Sequence, residues 1–150
     1  MAKDKAYRRA ERKIEAARHG RAKLLDLSSS RNYERAERLS EVPPLLAHLT
    51  KLQSLKLSGN NLTALPDFFS QLSQLQSLSI SDNKLYALPE SLSRLLRLQS
   101  LDLSGNQLTT LPEWIGNLSE LQFLNISGNR LSALPKSIGR LKRLQSLKIS

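Results

Sequence analysis

The sequence predicts an α/β solenoid: a curved parallel sheet lines the concave face, short helices or turns line the convex face, and a helix caps the N-terminal end. Three observations carry this. One asparagine recurs at Asn60, Asn83, Asn106 and Asn129, a fixed step of 23 residues without insertion or deletion. Leucine or isoleucine keeps the same step in several columns, among them Leu55/Leu78/Leu101/Leu124/Leu147 and Leu57/Ile80/Leu103/Ile126/Ile149. Each turn opens on period-two alternation, as in Leu55-Lys56-Leu57, which puts two apolar side chains inward and one residue outward on a short strand. A turn this short cannot bury its apolar face alone. Successive turns must therefore stack, aligning their strands into one parallel sheet over columns of leucine.

The asparagine stands at the corner leaving the strand. There its amide can bond backbone groups of its own and the next turn that the bend leaves unpaired, and the four in register make a structural ladder. A proline (Pro66, Pro89, Pro112, Pro135) begins each return limb, where a turn or a first helical position tolerates its missing N–H. The limb reads as a short helix or an irregular turn. These residues follow L-x-x-L-x-L-x-x-N-x-L and then x-x-L-P-x-x-I-x-x-L-x-x, a pattern that resembles the leucine-rich-repeat family from Leu45 to the end of the sequence. The 23-residue L-P-x-x-I form is similar to the intracellular repeats of Ras-suppressor and Scribble-type scaffolds, and to those that precede GTPase domains in Roco proteins. The resemblance implies a scaffold that binds another protein on its concave sheet, with a small GTPase or its regulator as partner. The Roco likeness implies the alternative of a regulatory region whose catalytic domain lies outside this sequence.

Both ends depart from the repeat. Ala6, Ala10, Ile14 and Ala17 recur at helical spacing with Gly20 as a stop, so residues 3–18 read as an amphipathic helix inside a basic capping segment, 1–24. The solenoid follows over 25–150. Its degenerate first repeat has Leu25-Asp26-Leu27-Ser28 as a strand and an insertion at 28–38, expected to be a polar loop with a helical turn around Tyr33 to Arg38. Four full repeats span 52–143, and an incomplete one, 144–150, leaves Leu147 and Ile149 without a capping element. The expectation is either a truncated fragment or a chain whose continuation is missing.

Composition narrows the function. There is no cysteine, so no thiolate metal site or nucleophile can form, and a reducing, cytoplasmic location is expected. His19 and His48 are isolated, and neither a phosphate-binding glycine loop nor a G-x-S-x-G elbow is present. The chain is expected to be no enzyme, to need no cofactor or metal, and to have no transmembrane segment. The net charge of +10 is concentrated early: residues 1–40 hold 12 Lys/Arg against 6 Asp/Glu. A salt-sensitive contact with nucleic acid or anionic lipid through Arg8, Arg9, Arg12, Lys13, Arg18, Arg21 and Lys23 stands beside the plainer reading of a solvated helix face.

What remains is surface. The outward strand positions form rows: Ser54/Ser77/Ser100/Phe123/Ser146, Lys56/Ser79/Asp102/Asn125/Lys148 and a uniform row of serines from Ser58 to Ser150. Lys56, Asp102, Phe123, Asn125 and Lys148, with Arg130 on the rim past the asparagines, are the candidate partner-binding residues because they break a bland background. Phe123 reads either as an anchor or as a cover over Ser100 and Ser146. The column Gln53/Gln76/Gln99/Gln122/Gln145 is expected to bond along itself and steady the edge of the sheet.

Overall fold

The computed structural model describes residues 4–30 and 37–150. Helix α1 (Lys5–His19) leads into β1 (Leu24–Asp26), β2 (Ser54–Lys56), β3 (Ser77–Ser79), β4 (Ser100–Asp102), β5 (Phe123–Asn125) and β6 (Ser146–Lys148). The six strands form one parallel sheet in chain order. In the inward column, Leu25, Leu55, Leu78, Leu101, Leu124 and Leu147 stand opposite one another, so from Leu55 onward the 23-residue step of the sequence becomes the register of the sheet. The return limbs are five-residue 3₁₀ helices on the convex side: Pro44–His48, Asp67–Gln71, Glu90–Arg94, Glu113–Asn117 and Lys136–Arg140.

The core lies between these two layers. Leu52, Leu55, Leu57, Leu62 and Leu72 of one turn are fully buried, and so are their counterparts Leu75, Leu78, Ile80, Leu85 and Leu95 in the next. Phe69 takes the place that Leu92 and Ile115 fill in later turns. Along the last strand Leu147 is half-buried and Ile149 exposed. The return-limb prolines do not occupy the first helical position. Pro66, Pro89, Pro112 and Pro135 are extended residues just before each 3₁₀ helix, and their carbonyls accept the N–H three residues on, from Phe69, Leu92, Ile115 and Ile138. Proline suits that cap because its fixed φ matches the extended backbone and no donor is lost.

Each ladder asparagine closes a corner with bonds to main chain. Asn106 Nδ2 donates to the carbonyls of Leu103, 3.0 Å, and of Ile80 in the preceding turn, 2.9 Å. Its Oδ1 accepts from the Leu85 N–H at 3.0 Å. Asn60, Asn83 and Asn129 repeat this arrangement, with Leu39, Leu62 and Leu108 as the N–H donors. The bonds therefore join each asparagine to its own turn, as expected from sequence, and to the preceding turn in place of the expected next one. At the strand exit the asparagine side chain points back over the turn already laid down. The residue before each asparagine takes a left-handed backbone, at Gly59, Asp82, Gly105 and Gly128. That conformation turns the chain sharply enough to aim the amide, and glycine adopts it without steric cost.

The capping helix behaves as its pattern predicts, displaced by one or two residues. Asp4 is its N-cap, accepting the Tyr7 N–H at 2.7 Å, and Ala6, Ala10, Ile14 and Ala17 are buried against the first turn. Gly20 ends the helix in a right-handed conformation, and the left-handed position falls on Arg21, φ 51°. The N–H of Ala22 donates to Ala17 O and that of Arg21 to Arg18 O, a double closure that satisfies the last carbonyls. Residues 31–36, most of the insertion and of its expected helical turn, lie outside the described residues. Where the chain resumes, Glu37 is held by α1: Lys5 Nζ donates to its carboxylate and Arg9 Nη2 to its carbonyl oxygen, the latter at 2.8 Å. The bond from Lys5 holds the Glu37 carboxyl below the usual glutamate range.

Two substitution pairs test this architecture. Asn106→Ala should destabilise by about 1–3 kcal/mol by stranding enclosed main-chain groups, while Gln99→Ala should stay within about 0.5, as read from urea midpoints. Gly116 and Gly139 are equivalent by the repeat, but a Cβ at Gly116 would lie 2.4 Å from the backbone oxygen of Ser137, whereas nothing lies within 4 Å of one at Gly139. Gly116→Ala should lose about 1–3 kcal/mol by overpacking and Gly139→Ala should lose nothing measurable. Equal midpoints within either pair would contradict the packing described.

Candidate functional site: the concave sheet

In a three-residue strand whose central leucine points into the core, the first and third residues must face out. The sheet thus presents two rows in strict register. The first is Leu24, Ser54, Ser77, Ser100, Phe123 and Ser146; the second is Asp26, Lys56, Ser79, Asp102, Asn125 and Lys148. Phe123 is 46% exposed and lies between Ser100 and Ser146, so the serines leave its ring accessible. Leu24, not singled out from sequence, is 56% exposed at the far end of the same row. Four strand spacings separate the two apolar side chains, roughly 19 Å. The alternation Leu24-Leu25-Asp26-Leu27 carried the signal for both Leu24 and Asp26, and extending the rows into the degenerate first turn would have found them.

The second row divides into two groups. Asp102, Asn125 and Lys148 are neighbours on β4, β5 and β6, and Phe123 flanks them. Lys56 lies apart on β2, next to Asp26, and makes a charge contrast of its own between neighbouring strands. Arg130 is exposed on the rim beyond Asn129, its N–H donating to Leu108 O at 2.9 Å. Two candidates are partly engaged by their own turns. Asp102 Oδ1 accepts from the N–H and hydroxyl of Ser104, 3.0 and 2.6 Å, and Asn125 Oδ1 accepts the same pair of bonds from Ser127. Ser58, Ser79 and Ser81 link their hydroxyls in a chain at 2.8 and 2.9 Å. The serine row therefore braces strand exits. The glutamine column pairs through its main chain, as in Gln76 N–H to Gln53 O at 2.8 Å. Among the described residues no glutamine side chain bonds another in that column, because these half-exposed or exposed amides are free to turn to water.

The basic residues of the first segment do not form one binding face. Lys13 Nζ donates to Asp26 O at 3.1 Å, Arg9 is committed to the Glu37 carbonyl, and Arg18 pairs with Glu15 at 3.6 Å. Arg8 and Arg12 are exposed on the outer side of α1. Asp26 feels this surrounding charge. Burial pushes its carboxyl up, but hydrogen bonds from Ser28 and the charges of Lys56 and Lys13 outweigh that and hold it below the ordinary aspartate value. Among the described residues no group of three or more His, Asp or Glu is placed to hold a metal ion, and no helix is long and apolar enough to cross a membrane.

Stacked single-strand turns, an asparagine corner in each and an open sheet of outward side chains define a right-handed repeat solenoid. The chain belongs to the leucine-rich-repeat family: a leucine-rich repeat region model matches residues 87–150 and a leucine rich repeat model matches 36–85 and 50–108. No curated protein matches the sequence. Among solved structures, the chain is similar to a leucine-rich-repeat protein of Leptospira interrogans, 41% identical with a TM-score of 0.73, over 75% of this chain and 29% of that one. It is also similar to the leucine-rich-repeat domain of the type III effector XopL, 29% identical with a TM-score of 0.76, over 94% and 50% of the two chains. A third likeness is to a plant peptide hormone receptor, RGFR1, solved in complex with RGF2: 39% identical, TM-score 0.66, over 73% and 18%. The chain spans half or less of the length of each of these structures.

The charge arrangement at Asp26 predicts a titration. The carboxyl should titrate below 3.8, contributing stability in full above that value and losing it as the pH falls through the folded pKa. Lys56→Gln should raise the Asp26 pKa by removing a favourable charge. Carboxyl-carbon NMR checks both, and an Asp26 shift curve indifferent to Lys56 would contradict the account.

Proposed function

We propose that this protein is an interaction scaffold that binds a partner polypeptide across its concave sheet, with Phe123 as the principal anchor and Leu24 as a second. One observation carries the reading: two exposed apolar side chains stand in the same outward row of a sheet whose other members in that row are serine. Aromatic side chains offer large contact area with few rotors to freeze, which is why they dominate binding energetics. Domains of the leucine-rich-repeat family mediate protein–protein interaction, and RGFR1 was solved with RGF2. Asp102, Asn125 and Lys148 beside Phe123, Lys56 beside Asp26, and Arg130 on the rim supply the polar selection around the anchors. A small GTPase or its regulator is the partner class that the sequence resemblance implies, and the cysteine-free composition fits a proposed cytoplasmic location.

The test begins with a partner captured from lysate by cross-linking and then purified. Phe123→Ser should leave the melting temperature nearly unchanged, since position 123 points out of the core, and should weaken binding by about 1–3 kcal/mol. The charge of Asp102 should act mainly on association rate and salt dependence. Asp102→Asn is the clean probe, because Asn125 shows that an amide makes the same two bonds to the following serine. Arg94→Ala, on the convex side, is the control and should be silent. Sensitivity to Arg94 combined with indifference to Phe123 and Asp102 would move the interface off the concave sheet.

A further inference from the structure

Where the end of α1 meets the first return limb there is a half-enclosed cavity of about 410 Å³. Its floor includes Ala17 and Leu49, both buried, and around its mouth stand Arg18, Arg21, Lys23 and Lys51, all exposed. No Asp or Glu lines it. Arg18 has Glu15 as an ion-pair partner outside the cavity, but the side chains of Arg21, Lys23 and Lys51 make no hydrogen bond or ion pair among the described residues. Three cations without a partner among the described residues thus line one apolar recess.

Two plainer explanations fall short. Cations near a helix C-terminus are favoured by its dipole, yet the last carbonyls of α1 already accept the N–H groups of Gly20, Arg21 and Ala22. Lys51, moreover, comes from the limb before β2 and not from the helix. Solvation of a charged face explains exposed lysines, but not why Arg21 occupies a left-handed position, φ 51°, that glycine fills at a cost lower by about 1–2 kcal/mol. Gly20, one residue earlier, is right-handed, so the chain places a guanidinium where its backbone would prefer a glycine.

We propose that this cavity binds a phosphate monoester carried on an apolar or aromatic body. The cations supply the charge and the donor fork that a dianionic phosphoryl group requires, and arginine matches its oxygens two at a time. The apolar floor and the volume exceed what a bare phosphate needs and fit a ring or hydrocarbon group behind it, the ordinary make-up of a small-ligand site. A free nucleotide and a phosphotyrosine side chain share this chemistry. No carboxylate lines the recess, so a phosphoryl anion meets cations there without an acidic competitor.

Calorimetric titration of the full chain at constant ionic strength tests the proposal with inorganic phosphate, AMP, a phosphotyrosine peptide and its unphosphorylated form. The expected result is saturable one-to-one binding of AMP or of the phosphopeptide, at least about tenfold tighter than inorganic phosphate, and whichever binds names the source. Arg21→Gly removes a charge while relaxing the backbone, so its fold is secure. It and Lys51→Gln should each weaken binding by about five- to tenfold, with Arg8→Gln and Arg12→Gln on the outer face of α1 as silent controls. Absence of saturable binding, equal affinity for bare phosphate, or an equal loss in the outer-face controls would each overturn it. The last of these would reduce the effect to general electrostatics.

Discussion

An enclosed amide at each corner of the solenoid holds the stack together. Every ladder asparagine donates from one nitrogen to carbonyls of its own strand end and of the strand before it, and accepts from a backbone N–H in the preceding turn. Asn60, Asn83 and Asn106 are buried, so the groups they satisfy have no water to turn to. Each bond contributes about 1 kcal/mol net, but leaving a partner unmade in that environment costs about 1–3 kcal/mol. Since the bonds cross between turns, no turn completes its hydrogen bonding alone, just as no turn alone buries its leucines. Hydrogen bonding and apolar burial thus impose the same 23-residue spacing.

That constraint decides what is left for function. The sheet's main chain is consumed between neighbouring strands, as at the strand exits: Leu57 N–H donates to Ser79 O, Ile80 N–H to Asp102 O and Leu103 N–H to Asn125 O, each at 2.8 Å. Recognition must then come from outward side chains. Many of those are also occupied: the serines brace strand exits, and Asp102 and Asn125 fold back onto Ser104 and Ser127. Leu24, Phe123 and Lys148 stand out because they are exposed and no turn uses them, and Lys56 because it is exposed beside Asp26. A row with few departures from serine concentrates selectivity at those departures.

Regularity breaks where α1 meets the first turn, and the unusual features of the molecule collect there. The helix closes the leucine columns with alanines and Ile14, small enough to approach the sheet closely. Its basic residues are divided among different tasks: Lys5 and Arg9 hold Glu37, Lys13 holds the Asp26 carbonyl, and Arg21 stands in a strained backbone at the mouth of a recess. This recess exists because a helix, and not another repeat, packs on the first turn.

The solenoid, its register, the inward columns and the corner asparagines are all legible in the amino-acid order, because each is a local rule repeated at constant spacing, and repetition makes a weak local signal unambiguous. So is the outward position of Phe123, since alternation along a short strand fixes the face. The direction of the asparagine bonds and the lack of side-chain bonding along the glutamine column emerge only in the packed molecule. Those outcomes depend on the offset between neighbouring turns, and no single turn encodes it. Leu24 and Asp26 were legible too, through their alternation with Leu25 and Leu27, although the degenerate first turn departs from the 23-residue spacing that aligns the other rows. The cavity beside Arg21 was legible in no column, since its walls are residues far apart in sequence that the capping helix brings together.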